Sequence, residues 1–240
     1  MSTPPPVAAS PVDRALLVTG GVGIAVFTAL ILASAWVYDA VVDADGVSGL
    51  DRPVLDWALG VRTPAAEYWV TAFTNLGKTV PMVILGLILT SLIGWRWRRR
   101  TAWVLMLVAS AGSVTFTIVS KAMIARARPP LVDAVPPYED SFSFPSGHTL
   151  NSTVVAGMLA YLVVWLSRTL WVRLLAVLGA VLWAGPMGLS RVFLGHHWLT
   201  DVMFAWMFGL GWLALLITVH LVVLGVQRGR QDRISQRSAD

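Results

Sequence analysis

The chain has 240 residues, of which 56% are hydrophobic and only 13% charged, with a formal net charge of +5 and no cysteine. A soluble domain carries about a quarter charged residues, so most of this chain is expected to meet lipid, where charged groups are costly. The absence of cysteine excludes a disulfide framework, a thiolate metal site and a cysteine nucleophile, and in a membrane protein the basic balance is not read as nucleic-acid binding.

Residues 1–14 are rich in proline and serine and are expected to be disordered. Residues 15–38 form an apolar run long enough for one membrane span. A cleaved leader ending near Ala33-Ser34-Ala35 fits less well, because the run is long and only Arg14 precedes it with a positive charge. Residues 39–67 are acidic and polar, yet Val54, Leu55, Trp57, Ala58, Leu59 and Val61 outline a short amphipathic helix for the membrane interface, with a plain surface loop as the alternative. Residues 68–94 read as a second span with a break or kink near its outer end, where Asn75, Gly77, Lys78 and Pro81 interrupt the apolar run. A basic turn, residues 95–100, leads to a third span over 101–120 that ends at Lys121. Four prolines (Pro129, Pro130, Pro136 and Pro137) then argue against any long helix. Spans four, five and six are expected over 149–167, 174–189 and 202–226, followed by a mobile polar tail, 227–240. The expected fold is all-α, one bundle of six transmembrane helices over residues 15–226.

An even number of spans puts both termini on one side. That side collects Arg14, the arginines of 95–100, Arg168, Arg173 and those of the tail, eleven of the 18 lysines and arginines. The positive-inside rule makes it cytoplasmic. Three polar islands, residues 121–129, 145–148 and 190–201, then all fall on the opposite face.

These islands carry chemistry. His197 and Asp201 are four apart, a spacing that shares one helix face. Asp201 can therefore hold one ring nitrogen and leave the other free as nucleophile or base. Arg191 offers a fixed guanidinium fork suited to phosphate oxygens. Ser146-Gly147 opens a helix, where capping and anion binding coincide. The plainer reading of a lone cation at a span end is an interface anchor, and it is assigned to Arg52, Arg62, Lys78 and Arg126. His220 is read as structural, and His196, lacking the spacing to Asp201, is set aside.

Lys121 followed after six residues by Arg128-Pro129, then Pro145-Ser146-Gly147-His148, then Ser190-Arg191 with His197 and Asp201 beyond, resembles the type 2 phosphatidic acid phosphatase (PAP2) family of integral-membrane lipid phosphatases. That family shares its site with vanadium haloperoxidases and bacterial acid phosphatases. The resemblance implies a phosphohistidine intermediate on His197, with Asp201 fixing its tautomer and His148 acting as general acid and then base. It also implies phosphate binding by Lys121, Arg128, Arg191, Ser146 and the Gly147 N–H. Three fixed cations can neutralise a phosphate dianion without a metal, and no carboxylate cluster suits Mg²⁺. No cofactor is therefore expected, and hydrolysis is expected to be metal-independent.

The expected substrate is a lipid phosphate or diphosphate in the cell membrane, met at its outer face. Undecaprenyl pyrophosphate comes first, on orientation alone, with phosphatidylglycerophosphate or phosphatidic acid as alternatives. Membrane lipids are the expected surroundings; neither a nucleic acid nor an obligate protein partner is expected. The rival of another class is a non-catalytic lipid-phosphate-binding protein, for which a His–Asp pair and a second histidine would be superfluous. Haloperoxidase chemistry would require bound vanadate and is found on soluble folds.

Overall fold

Backbone inside a bilayer has no water to bond, so a chain this apolar has to satisfy its amides within helices. A computed structural model describes residues 11–237. Among them it contains eight α-helices and no strand: α1 (Pro11–Asp43), α2 (Asp51–Val61), α3 (Pro64–Asn75), α4 (Thr79–Trp97), α5 (Thr101–Ile124), α6 (Gly147–Leu166), α7 (Leu170–Phe193) and α8 (Leu199–Arg237). Six of these (α1, α4, α5, α6, α7 and α8) are long and apolar enough to cross a membrane. The all-α, six-span expectation holds.

Several boundaries differ from expectation. The interruption expected near the outer end of the second span is a break, with α3 and α4 separated at Leu76-Gly77-Lys78, so that the span itself is α4. The separation is steric as well as local, since a Cβ on Gly77 would lie 2.2 Å from the Met187 sulfur of α7. The short helix outlined by Val54 to Val61 is α2, and the start of α3 follows it within the same segment. Thr63 starts α3, its hydroxyl accepting from Ala66 N at 3.2 Å with Pro64 in the first turn. Helix α1 begins at Pro11, inside the segment expected to be disordered, and α8 runs on to Arg237 through most of the expected tail. Residues 1–10 and 238–240 lie outside the described residues.

Helix α6 is the hub, packing against α4, α5, α7 and α8. Leu150, Val154, Val155, Met158 and Leu162 are fully or almost fully buried there against Met82, Met106, Ala109, Ala205 and Leu213. Lipid tails are as apolar as leucine, so helices in a bilayer associate through close fit and not through escape from water. The seams show this. On α4 the buried residues are Met82, Gly86, Thr90 and Gly94, four apart, and on α5 they include Ala102, Ala109, Ser110, Ser113, Thr117 and Ser120. The α5 hydroxyls bond to their own helix: Thr117 Oγ1 donates to Ser113 O at 2.8 Å and Ser113 Oγ to Ser110 O at 3.1 Å. Helix α1 lies outermost and packs along α8.

The end of the bundle formed by the last turns of α5 and α7 and the first turns of α6 and α8 is closed by the α5–α6 loop. That loop is pinned to the α7–α8 turn. Val135 N donates to Leu194 O at 3.0 Å, His196 Nε2 meets Val135 O at 2.7 Å, and Arg62 donates to both Phe193 O and Asp133 O at 2.6 Å. Arg62, expected as an interface anchor, is thus a clamp between these two segments. At Gly195 the backbone takes φ +70°, and a Cβ would sit 2.3 Å from Asp133 O. Both the left-handed conformation and the close approach require glycine. Gly195→Ala is expected to cost roughly 1–3 kcal/mol, read as a lower midpoint of thermal unfolding in detergent.

Candidate active site

The three polar islands of the sequence meet at this end of the bundle. His197 lies in the α7–α8 turn, where both His196 N and His197 N donate to Arg191 O, at 2.9 and 3.2 Å. Asp201 lies in the first turn of α8, and its Oδ2 faces His197 Nδ1 at 3.2 Å while accepting from Trp198 N at 3.0 Å. The spacing of four therefore works across a turn that enters a helix, since His197 precedes the helix instead of lying within it. With Nδ1–H directed at Asp201, the lone pair of Nε2 is left on the other side of the ring. Arg128 Nη1 stands 3.2 Å from that nitrogen.

His197 is 2% exposed and Asp201 is fully buried. Burial, and after it Arg128, Arg191, Lys121 and His196, holds the His197 imidazolium well below the usual histidine range. The ring is therefore neutral over the physiological range, as a nucleophile has to be. His196 is also pushed down, to about 4, by burial and then Arg191. Its ring bonds the Val135 carbonyl, so it ties down the loop.

Around His197 stand the remaining expected residues. Arg191 is 1% exposed; its Nη1 donates to Thr74 Oγ1 at 3.1 Å and its Nη2 to Glu139 Oε1 at 2.6 Å. Arg128 donates to the His196 carbonyl at 2.5 Å and to the Ser141 carbonyl at 2.6 Å. Lys121, at the end of α5, donates to Ser141 Oγ at 3.1 Å and to the Phe142 carbonyl. His148, in the first turn of α6, is buried within electrostatic reach of Arg191 and His197. Its Nε2 and the Nε of Arg191 are buried with no hydrogen-bond partner among the described residues.

Ser146 and Gly147 stand at the start of the same helix. Ser146 occupies the N-cap of α6 without a side-chain cap bond; its Oγ accepts from Thr149 Oγ1 at 2.9 Å and its N donates to Asp201 O at 3.3 Å. At Gly147 a Cβ would lie 3.0 Å from Thr117 Cγ2, so the missing side chain lets α6 approach α5.

The largest correction concerns Arg126. It is not an interface anchor. Its Nη1 donates to Asp201 Oδ1 at 2.5 Å and to Thr200 Oγ1 at 2.8 Å, and its Nη2 to Asp51 Oδ2 at 2.7 Å. Asp51, in the first turn of α2, accepts from Thr200 N at 2.8 Å and from Thr200 Oγ1 at 2.7 Å. Ser143 adds a 2.5 Å bond to Asp201 Oδ2. Two signals in the sequence point this way. A buried carboxylate needs a countercharge, and in the extended stretch after α5 residues 126 and 128 fall on one side. Asp51, Ser143 and Glu139 carry no such signal.

The PAP2 superfamily profile matches residues 101–223. The chain is 34% identical over 178 residues to phosphatidylglycerophosphatase B of Bacillus subtilis, covering 71% of this chain and 83% of that protein. It is 28% identical over 191 residues to the lipid A 4'-phosphatase of Bacteroides thetaiotaomicron, covering 73% and 80%. The crystal structure of a transmembrane PAP2-type phosphatidylglycerolphosphate phosphatase from Bacillus subtilis superimposes with a TM-score of 0.67 at 26% identity, over 83% of this chain and 94% of that one.

Removing one partner of a buried ion pair leaves an uncompensated charge and costs roughly 3–5 kcal/mol. Arg126→Leu is expected to destabilise the protein on this scale in thermal unfolding, with Arg126→Lys intermediate and Asp51→Asn milder than Arg126→Leu, since Arg126 still neutralises Asp201.

Proposed function

The chain belongs to the PAP2 superfamily, and from that premise we propose that it removes the terminal phosphate of a membrane lipid through a phosphohistidine intermediate. It is a membrane-embedded lipid phosphatase; the route and the substrate are what the proposal adds. One observation carries it: Arg128 stands 3.2 Å from Nε2 of a His197 whose other nitrogen faces Asp201, with Arg191 and Lys121 near enough to act on the same ring electrostatically.

In this reading Nε2 of His197 attacks phosphorus and the bond from phosphorus to the lipid oxygen breaks. His148 gives its proton to that oxygen as the bond opens. The three cations take up the charge that develops on the equatorial oxygens. Asp201, hydrogen-bonded by Arg126, stabilises the imidazolium of His197. Neutral His148 then accepts a proton from water, which attacks the phosphohistidine and releases inorganic phosphate. Three cations are enough to neutralise the dianion, and metal-independent turnover is part of the proposal.

A lipid substrate has support beyond the family. An apolar groove of about 520 Å³ runs between α2, α3 and α7, with Trp57, Trp69, Phe73, Leu189 and Phe193 among its walls. Ser190 also lines it and donates to Thr74 Oγ1 at 3.0 Å, the same oxygen that Arg191 bonds. A lipid chain in the groove would place its headgroup beside the cations. The phosphatidylglycerophosphatase relative favours a glycerophospholipid monoester, whereas undecaprenyl pyrophosphate rests on membrane orientation alone. The orientation proposed keeps both termini in the cytoplasm and the site at the outer face. Its support is that the arginine-rich connections α4–α5 and α6–α7 lie at the end of the bundle opposite His197.

Three measurements test this. His197→Ala is expected to abolish phosphate release from phosphatidylglycerophosphate in detergent, while His148→Ala slows it by roughly 10²–10⁴-fold and accumulates an alkali-stable, acid-labile phosphoprotein. Full turnover by His197→Ala removes the nucleophile, and loss of wild-type turnover in chelator with recovery in Mg²⁺ removes the metal-free step. Because His197 is held well below its usual range, kcat/KM should lose no activity through this residue until well below pH 6.5, once the substrate phosphate's own titration near pH 6 is allowed for. Leu189→Arg, in the groove wall, is expected to raise KM for long-chain substrates more than for a short-chain soluble phosphate; equal effects would detach the groove from the lipid tail.

A further inference from the structure

The α5–α6 loop sets acceptors on all three cations of the site. Glu139 Oε1 lies 2.6 Å from Arg191 Nη2, and Oε2 lies 3.8 Å from Arg128 Nη2. Ser141 Oγ accepts from Arg128 Nη2 at 3.0 Å and from Lys121 Nζ at 3.1 Å, and the Phe142 carbonyl accepts from Lys121. A carboxylate presents two oxygens to a guanidinium fork much as a phosphate does. Burial by itself would raise the Glu139 carboxyl, but Arg191, Arg128 and His196 together hold it below the usual carboxylate range, so at neutral pH it is an anion. Arg191 Nε and His148 Nε2 meanwhile stay unpartnered among the described residues. They are available to an anion with more than two oxygens.

We propose that Glu139 is an internal competitor for the phosphate site, occupying in the free protein the cations that a substrate phosphate takes over, so that an anion enters only by exchange with it. This rests on the reading of Lys121, Arg128 and Arg191 as phosphate ligands. The exchange lowers every anion's apparent affinity by the same factor, the fraction of protein with the carboxylate displaced. Its consequence depends on the anion. A terminal phosphomonoester carries a charge of about −1.5 to −2 and gains enough from three cations to displace Glu139. The phosphodiester headgroups that fill a bilayer carry a single negative charge, no more than the carboxylate itself. Glu139 therefore leaves the ratio of the two affinities unchanged but keeps the site largely empty of the weakly held phosphodiesters, while the more tightly held monoester still enters.

The test compares the full-length wild type with Glu139→Gln in detergent, following phosphate release from dioleoyl phosphatidic acid. Orthovanadate serves as phosphate analogue and dioleoylphosphatidylglycerol as competing phosphodiester. The loss of one charge-assisted contact is expected to lower the KM and both inhibition constants together, by about tenfold. Unchanged or weaker affinities in an active Glu139→Gln protein would overturn the inference and leave the phosphatase reading intact. A wild type that neither releases phosphate nor responds to orthovanadate would overturn both. Should the variant not fold, amide hydrogen exchange on the wild type decides. Saturating orthovanadate should speed exchange over residues 138–142, because displacement frees their anchors; protection of that segment would refute the exchange.

Discussion

A carboxylate taken wholly out of water has to be compensated, and the way Asp201 is compensated organises this protein. Its two oxygens are met by His197, Ser143, Arg126 and the Trp198 amide. They come from three places: His197 and Trp198 from the α7–α8 turn, Arg126 and Ser143 from the two ends of the α5–α6 loop. Arg126 extends the set to Asp51, and Asp51 grips Thr200. The short helix α2 is thereby bound to the start of α8. The ion pairs neutralise one another while the hydroxyls and amides fill the remaining acceptor positions, the condition under which a buried charge network is tolerated.

The bilayer explains why this chemistry sits at an end of the bundle. Lipid-facing stretches must be apolar and hydrogen-bonded within themselves, so irregular backbone is confined to the connections. The α5–α6 loop and the α7–α8 turn are such connections, and each satisfies the other. Their mutual bonds, with Arg62 across both, hold His197 as firmly as a helix would. The hub position of α6 fixes the rest. His148 enters the site from its first turn, and the small residues on α5 let Gly147 come within contact of Thr117.

Electrostatically the site is a nest of cations around a neutral imidazole. Burial and three positive neighbours keep a proton off His197, and the same neighbours are the phosphate ligands of the proposed reaction. Glu139 offsets part of that charge in the free protein. A site so positive would attract any anionic headgroup, and the proposed competition by Glu139 would weaken all of them alike.

Hydropathy and spacing alone determined the six spans, the shared membrane end of the three islands, and the pairing of His197 with Asp201. Such features are legible because lipid penalises charge residue by residue and because a local offset fixes a local geometry. Arg126 read as an anchor because nothing adjacent in the chain reveals its partner. Asp51 and Asp201 are each 75 residues from it. Glu139, Ser141 and Ser143 lie in a loop without periodicity, where side-chain direction is set by contacts and not by register. The fit of Met187 of α7 into the space beside Gly77 is likewise a contact between distant parts of the chain. Tertiary structure alone decided which charge compensates which, because a buried ion's partner is whichever group the packed chain brings within a hydrogen bond of it, at any distance along the sequence.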